Sequence, residues 1–409
     1  MYLQKSDHNN SALLLIIFII WPFLGFLFAI YDFKRRFSRF LILLFFLIFG
    51  FLIYINPQQD SQRRADYLKV AYLEPFDKFF DSFDKLYEES LDFIEPLLIY
   101  TVSRFTDFYG TLFAIYALIF GSLMLYYLKI MYLHFYNYKN INALIFLILL
   151  VFVNSIGEIN GFRMWTAAWI FAVGMILFFH FQKDKYLLFA CSSIFLHFSY
   201  IPLVILVFVY KFFGNRAFIY GILAIFSFFV AELNMDQVQQ YAAFFGKASE
   251  TKISAYTGDK YIESVNNKKE VAAWFLIFNE RGMHYFTSIS MLMVYLKKRA
   301  YFRVKLVDKF YSFTLLLLTF ANISSLLPSG ARFYRVYNIF AFSTLLLYFV
   351  YEEKDKKISN INLFALPVIV LFVFFNIRLF SDPASIYLLG PSCFMPFALY
   401  ENISLSILF

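Results

Sequence analysis

Apolar residues occur along this chain in long unbroken runs, not in the alternation of a half-buried strand or the one-sided stripe of a surface helix. The runs cover approximately residues 12–31, 40–55, 108–128, 141–154, 163–182, 186–210, 217–231, 272–296, 310–327, 335–351 and 361–378. Most hold about 15 to 25 residues, near the length that crosses a roughly 30 Å hydrocarbon core as helix. The expected fold class is all-α: one polytopic transmembrane domain over 1–409, with about eleven hydrophobic segments. The first run begins near Leu13 and is followed by Lys34, Arg35, Arg36 and Arg39, the reverse of a cleavable signal peptide, so a permanent span is expected there.

Short basic connectors separate the runs: Lys34 to Arg39, Lys129 to Lys139, Lys183 and Lys185, Lys211 to Arg216, Lys297 to Lys305, and Lys354 to Lys357. The positive-inside tendency assigns all six to the cytoplasm. A single crossing by 186–210 would separate the connectors on either side of it, whereas a re-entrant hairpin of two half-length helices keeps both inside. Its centre, His197-Phe198-Ser199-Tyr200 before Pro202, is where such a turn is expected, because proline disfavours helix at the residue preceding it. The alternative is one tilted span with the downstream half inverted, which places Lys297, Lys298, Arg299, Arg303 and Lys305 outside.

The hairpin topology leaves two extracytoplasmic regions, 56–107 and 232–271, together with the N-terminus and the C-terminal tail. The polar part of the first, 56–96, carries ten Asp/Glu against five Lys/Arg. It spaces Phe76, Phe80, Phe83, Tyr87, Leu91 and Ile94 three to four residues apart, as an amphipathic helix on a membrane surface does. Composition agrees with a membrane protein, since 61% of the 409 residues are apolar, against roughly 45–50% in ordinary globular domains. A net charge of +8 invites a nucleic-acid reading, but the basic residues sit at the ends of apolar runs and form no polar basic domain. Cys191 and Cys393 have neither disulfide-framework nor metal-ligand spacing, and no phosphate-binding glycine loop is present, so neither metal nor cofactor is expected.

The arginines that break the positive-inside pattern are the informative charges. Arg163, Arg281, Arg332, Arg335 and Arg378 all fall at the outer ends of spans in the hairpin topology. Arg281 precedes Leu296 by fifteen residues, about 22 Å of helix, which puts it within the outer leaflet. A charge at that depth usually faces a cavity and a partner. Each arginine also has an ordinary explanation, snorkelling to headgroups or pairing with an acid such as Glu280 or Glu158. Arg332 and Arg335 share a helix face beside a helix N-terminus, where guanidinium forks and free amides favour anionic oxygens such as those of a diphosphate.

Two histidines are placed for chemistry. His197 sits in an apolar run, where a lone histidine is more often a hydrogen-bonded structural residue, and His284 stands one turn after Arg281 on the same face, as an acid or base near a bound anion would. Asp66, Asp92, Glu95 and Glu158 are the acidic candidates, with Glu95 and Glu158 favoured because they flank membrane entry points. Most other carboxylates of 56–96 are read as the wet face of a surface helix.

At these residues a resemblance enters. Asn154 to Arg163, the apolar helix after it, Lys183 and Lys185, and the stretch ending His197-Phe-Ser-Tyr resemble the central signature of the EpsG-like family of bacterial polysaccharide polymerases, relatives in role of the Wzy polymerases. Asn160, Gly161, Arg163 and His197 match its pattern of Asn, Gly and Arg before a helix with a later His. Asp66-Tyr67, Glu95-Pro96 and Gly330-Ala-Arg332-Phe-Tyr-Arg335-Val-Tyr337 are similar to further family positions, so the likeness spans most of 60–350. Met164 and Trp165 depart from the Gln and Leu common after the family's Arg.

The resemblance implies a polymerase at the outer face of a bacterial cytoplasmic membrane, acting on polyprenyl-diphosphate-linked oligosaccharide among membrane lipids, with a chain-length regulator as a further partner. Under it Arg163, Arg281, Arg332 and Arg335 hold the diphosphate. His284, His197, Glu158 and Glu95 are the candidates for proton transfer, and Asp66, Asn160 and Tyr337 for glycan contact. Two other classes remain open: a glycan-lipid flippase, whose charges should line a path through both leaflets, and an O-antigen ligase-like enzyme differing in acceptor.

Overall fold

A computed structural model describes residues 2–57, 59–75, 92–138, 140–230, 274–298, 302, 304–327, 330–351, 362 and 364–408. Phe76, Phe80, Phe83, Tyr87 and Leu91 of the expected amphipathic surface, the loop 232–271, the side chain of Glu280 and the connector Lys354 to Lys357 lie outside the described residues. Within them the chain is helical, and its one β-feature is an isolated antiparallel bridge between Ser385 and Ser404. Four stretches are long and apolar enough to cross a membrane: Tyr109–Tyr136, Ile141–Phe181, Lys305–Ser324 and Arg332–Tyr351. The protein is therefore a helical membrane protein.

The helices in chain order are α1 (Tyr2–Ile20), α2 (Pro22–Tyr31), α3 (Arg36–Phe51), α4 (Asp60–Leu73), α5 (Ile94–Ser103), α6 (Tyr109–Tyr138), α7 (Ile141–Val153), α8 (Phe162–Phe181), α9 (Asp184–Cys191), α10 (Ile201–Phe213), α11 (Ala217–Ser227), α12 (Trp274–Lys298), α13 (Lys305–Ser324), α14 (Arg332–Tyr351) and α15 (Leu366–Ser381). Helices α8 and α14 are apolar on all sides and buried over nearly their whole length, which makes them the centre of the bundle. Around them α3 packs on α6, α7 on α14, α9 on α8 and α11 on α13. Neutral polar groups tie the centre together: Tyr127 bonds Ser343 at 2.7 Å, Thr314 bonds Thr344 at 2.9 Å, and Thr287 donates to Asn338 at 3.1 Å. With no hydrophobic drive between helices in lipid, such bonds and close backbone packing hold spans together. Gly174 supplies one close approach, since a Cβ there would lie 2.5 Å from the backbone nitrogen of Ala190 on α9.

Contacts at the helix termini sort the bundle into two ends. Four of the basic connectors gather at one: Lys34 lies 4.3 Å over the Tyr136 ring, Asn140 donates to the Phe349 carbonyl, Lys211 pairs with Asp184, and Asn215 bonds Asp308. The opposite end collects the starts of α8 and α14, the ends of α13 and α15, and helices α4 and α5.

Segment 186–210 turns back on itself. Helix α9 rises from Asp184, short 3₁₀ turns cover Ser192–Phe195 and Phe198–Tyr200, and α10 descends to Lys211, whose ammonium lies 2.9 Å from Asp184. Pro202 stands at the start of α10, where its missing N–H costs nothing.

The expected single span over 12–31 is corrected to two helices. The chain breaks at Trp21, whose backbone leaves the helical region (φ −144°, ψ 87°), because Pro22 disfavours helix at the residue before it. The bend is sharp enough to set Gly25 against the backbone of Phe18, and Trp21 donates its indole N–H to the Leu389 carbonyl at 2.7 Å. A second correction concerns the first polar region. Its described part is built of α4 and α5 and folds onto the bundle, with Ser61, Arg64, Ala65 and Leu68 of α4 buried.

Candidate functional site

Helix α4 is polar overall, yet its buried face repeats at 61, 64, 65 and 68, so the helical period turns one arginine inward. The Arg64 side chain is only 4% exposed, and its Nε lies 2.5 Å from Oε1 of Glu95, itself 8% exposed, in the first turn of α5. Burial acts to lower the Arg64 pKa, but the Glu95 charge and hydrogen bond, with Asp60 behind, outweigh it and hold the guanidinium above its ordinary value. Its Nη1 donates to the Asn160 carbonyl at 3.0 Å.

A second guanidinium meets the same carboxylate from α8. Arg163 Nε is 3.0 Å from Glu95 Oε2, and its Nη1 donates to Asp92 Oδ2 at 2.9 Å. Asp92 is buried, and its other oxygen accepts from the Phe198 backbone N–H at 2.7 Å. Asp92, Glu95, Arg64 and Arg163 thus alternate charge along a chain that joins α4, α5, the start of α8 and the tip of the hairpin. Ionic groups removed from water persist only when paired in this way.

Next to this network lies an open cavity of about 290 Å³, walled by Asp60, Glu158, Asn160, Arg335, Phe380 and Asp382 among others. Asn154 ends α7 and hydrogen-bonds the Trp165 carbonyl, and the 3₁₀ turn Ile156–Gly161 then swings Glu158 and Asn160 to this edge. Gly157 allows a close approach there, since a Cβ would sit 3.0 Å from the Phe380 backbone. Arg335, one turn into α14, donates to Glu158 Oε1 at 2.5 Å and stacks 4.8 Å over the Trp165 ring. Its side chain is 34% exposed and that of Glu158 20%, so this pair faces the cavity where the Arg64 pair does not. Asn160 donates Nδ2 to Gln59 at 2.9 Å, and its Oδ1 has no partner among the described residues.

Of the residues singled out from sequence, Glu95, Asn160 and Arg163 come together in or against the buried network, and Glu158 and Arg335 face the cavity beside it. Arg332 and Arg281 are exposed and make no ion pair among the described residues. Arg378 is paired with Asp382 in the cavity wall. His284 is buried in the bundle, its ring 3.9 Å from that of Tyr334 and edge-on to Tyr337, which is itself 1% exposed. His197 caps the 3₁₀ turn at the hairpin tip, with Ser199 Oγ 2.7 Å from Nδ1. Asp66 is exposed on α4 and accepts from Gln62 at 2.8 Å.

Sequence reasoning missed Arg64, and it names Asp92 as an acidic candidate without giving it a role. For Arg64 the signal was present: a charge at the 61, 64, 65, 68 face, between Ser61 and Leu68. Trp165 is the ring on which Arg335 rests. No family model, no curated protein and no solved structure matches this chain.

Proposed function

We propose that this protein is a membrane glycosyltransferase that joins polyprenyl-diphosphate-linked oligosaccharide repeats, with about eleven membrane segments and its site on the outer face of a bacterial cytoplasmic membrane. One observation carries the reading: an open cavity at the bundle end remote from the basic connectors, with the paired Arg335 guanidinium and Glu158 carboxylate, and Asn160, in its wall. The positive-inside tendency assigns the connector end to the cytoplasm and hence the cavity to the outside. The resemblance of the motifs around Arg163 and Arg335 to EpsG-like polymerases supports the same class.

The chemistry follows from the pair. An incoming diphosphate exchanges with Glu158 as the anionic partner of Arg335, with Arg332 one turn away on the same helix edge, and the planar guanidinium matches two phosphate oxygens. Glu158, released beside it, faces the acceptor. A sugar hydroxyl of one repeat attacks the anomeric carbon of the growing chain, the bond to the diphosphate oxygen breaks, polyprenyl diphosphate leaves, and the hydroxyl proton passes to Glu158. Stabilisation of the departing anion is the main catalytic contribution, and proton removal is needed late.

A flippase would need charges along a path through the bundle. The ionic groups of the network instead sit at one end, and the polar groups tying its centre are neutral hydroxyls and amides. An O-antigen ligase-like enzyme would use the same cavity with another acceptor. Orientation is tested by thiol labelling: single cysteines replacing Asp184 and Asn215 should both react only with reagent supplied from the cytoplasmic side, and one replacing Asp66 only from outside. Labelling of 184 and 215 from opposite sides would overturn the placement. Function is tested by removing the protein from its host: single lipid-linked repeats should accumulate on the outer face, and accumulation on the inner face would instead identify a flippase.

A further inference from the structure

Two more cavities, of about 230 and 390 Å³, open beside the Glu158 cavity and have no role in the chemistry just described. They share Tyr54 and Asn402 in their walls; the smaller adds Gln62, Lys69 and Tyr109, and the larger Ser404. Two connections place them next to the Arg335 cavity. Asp60 of α4 lines that cavity while Gln62, in the same turn, lines the smaller one. The Tyr54 N–H donates at 2.8 Å to the carbonyl of Pro383, which is also a wall residue of the Arg335 cavity.

The lining has a consistent chemistry. Asn402 donates its amide to the Leu52 and Ile53 carbonyls at 3.1 and 2.9 Å, which fixes its orientation and leaves Oδ1 buried with no partner among the described residues. Asn160 in the first cavity repeats the arrangement, with its amide N–H bonded and its Oδ1 unpartnered. A buried acceptor without a donor is costly unless a ligand or water supplies one. Tyr54 and Tyr109 offer two partly buried rings, and Lys69 is an exposed cation without an ion pair among the described residues. Side-chain amides and hydroxyls, a cation and tyrosine rings in the walls of adjoining cavities suit a hydroxyl-rich chain with apolar ring faces. Each cavity lies near the lower end of small-molecule sites, the scale of one or two sugar rings.

We propose that the cavities around Tyr54 and Asn402 form a glycan subsite, which holds sugars of the oligosaccharide away from the reacting end. This rests on the glycosyltransferase reading for the identity of the natural chain, but sugar binding can be measured without catalysis. Detergent-solubilised full-length protein is applied to an array of immobilised short oligosaccharides, neutral and acidic. Wild type and Lys185→Ala, at the connector end of the bundle, should retain the same set. Tyr54→Ala, and separately Lys69→Glu on the exposed side of α4, should weaken retention about tenfold each, the loss of one or two polar contacts. Unchanged elution on size exclusion establishes that both variants fold.

Failure of the wild type to retain any oligosaccharide, or retention unaffected by both Tyr54→Ala and Lys69→Glu, overturns the subsite. So does retention lost in Arg335→Ala alone, which would move sugar binding to the first cavity. The glycosyltransferase reading fails by a different measurement, the absence of polymer formed from lipid-linked repeats, so the two failures are distinguishable.

Discussion

Replacing Glu95 with alanine should cost about 3–5 kcal/mol of stability, the range for removing one partner of a buried ion pair. Two guanidiniums share that carboxylate, Arg64 at 2.5 Å and Arg163 at 3.0 Å, and Arg64 is almost wholly enclosed. Without Glu95, Arg64 keeps the Asn160 carbonyl and a distant Asp60, 3.9 Å away, while Arg163 keeps Asp92. The measurement is the monodisperse fraction and thermal midpoint of the detergent-solubilised protein. The double replacement Arg64→Met, Glu95→Leu should recover most of the loss, because it removes both buried charges and leaves Arg163 with Asp92. Wild-type stability in Glu95→Ala would mean that the pair behaves like an exposed one, worth about 0–1 kcal/mol.

The second large effect is expected at Arg335. Lysine there keeps the charge but not the fork, nor the flat face that rests on Trp165, and should lower the rate of repeat joining by roughly a hundredfold, about 3 kcal/mol. Polymer length on a gel reads the loss, with protein level in the membrane checked alongside. Glu158→Gln should also lower the rate, through the acceptor's proton and not through the diphosphate. Normal polymer from Arg335→Lys at normal protein level would remove the anion site from this cavity. Arg163→Lys is expected to act differently, through stability, because that guanidinium is committed to Asp92 and Glu95.

The contrast between these two arginines shows what the sequence made legible. Both stood out because they break the positive-inside pattern at the start of an apolar helix, and both do sit at the same end of the bundle. Their partners were partly readable: Glu158 was named as an ordinary partner for a nearby arginine, and it is the one that Arg335 meets. The pairing of Arg163 with Asp92, 71 positions away, depends on how α5 docks against α8, and no local spacing encodes it. Asp92 is legible as an acidic candidate but not as the partner of this arginine, because hydrophobic periodicity describes helix faces and not the capture of a single acid by a distant arginine.

The hairpin at 186–210 was legible for a physical reason: basic residues at both of its ends and a proline near its middle favour it over a single tilted span. The same rule was available at Trp21-Pro22 and was outweighed by an unbroken run of apolar residues, although the chain breaks there. Asn402 gave no sign at all. Its significance comes from the carbonyls of Leu52 and Ile53, some 350 positions earlier, which bind its amide and fix it in the wall of two cavities.

The central claim is that this chain exchanges a lipid diphosphate for a sugar–sugar bond. The most direct measurement supplies purified protein in nanodiscs with polyprenyl-diphosphate-linked repeat units, and follows both the glycan ladder and free polyprenyl diphosphate over time. The expected result is a ladder spaced by one repeat, with one polyprenyl diphosphate released for each repeat joined, and neither product formed by Arg335→Ala. Intact lipid-linked repeats, with no polyprenyl diphosphate released by protein that is folded and monodisperse, would contradict it.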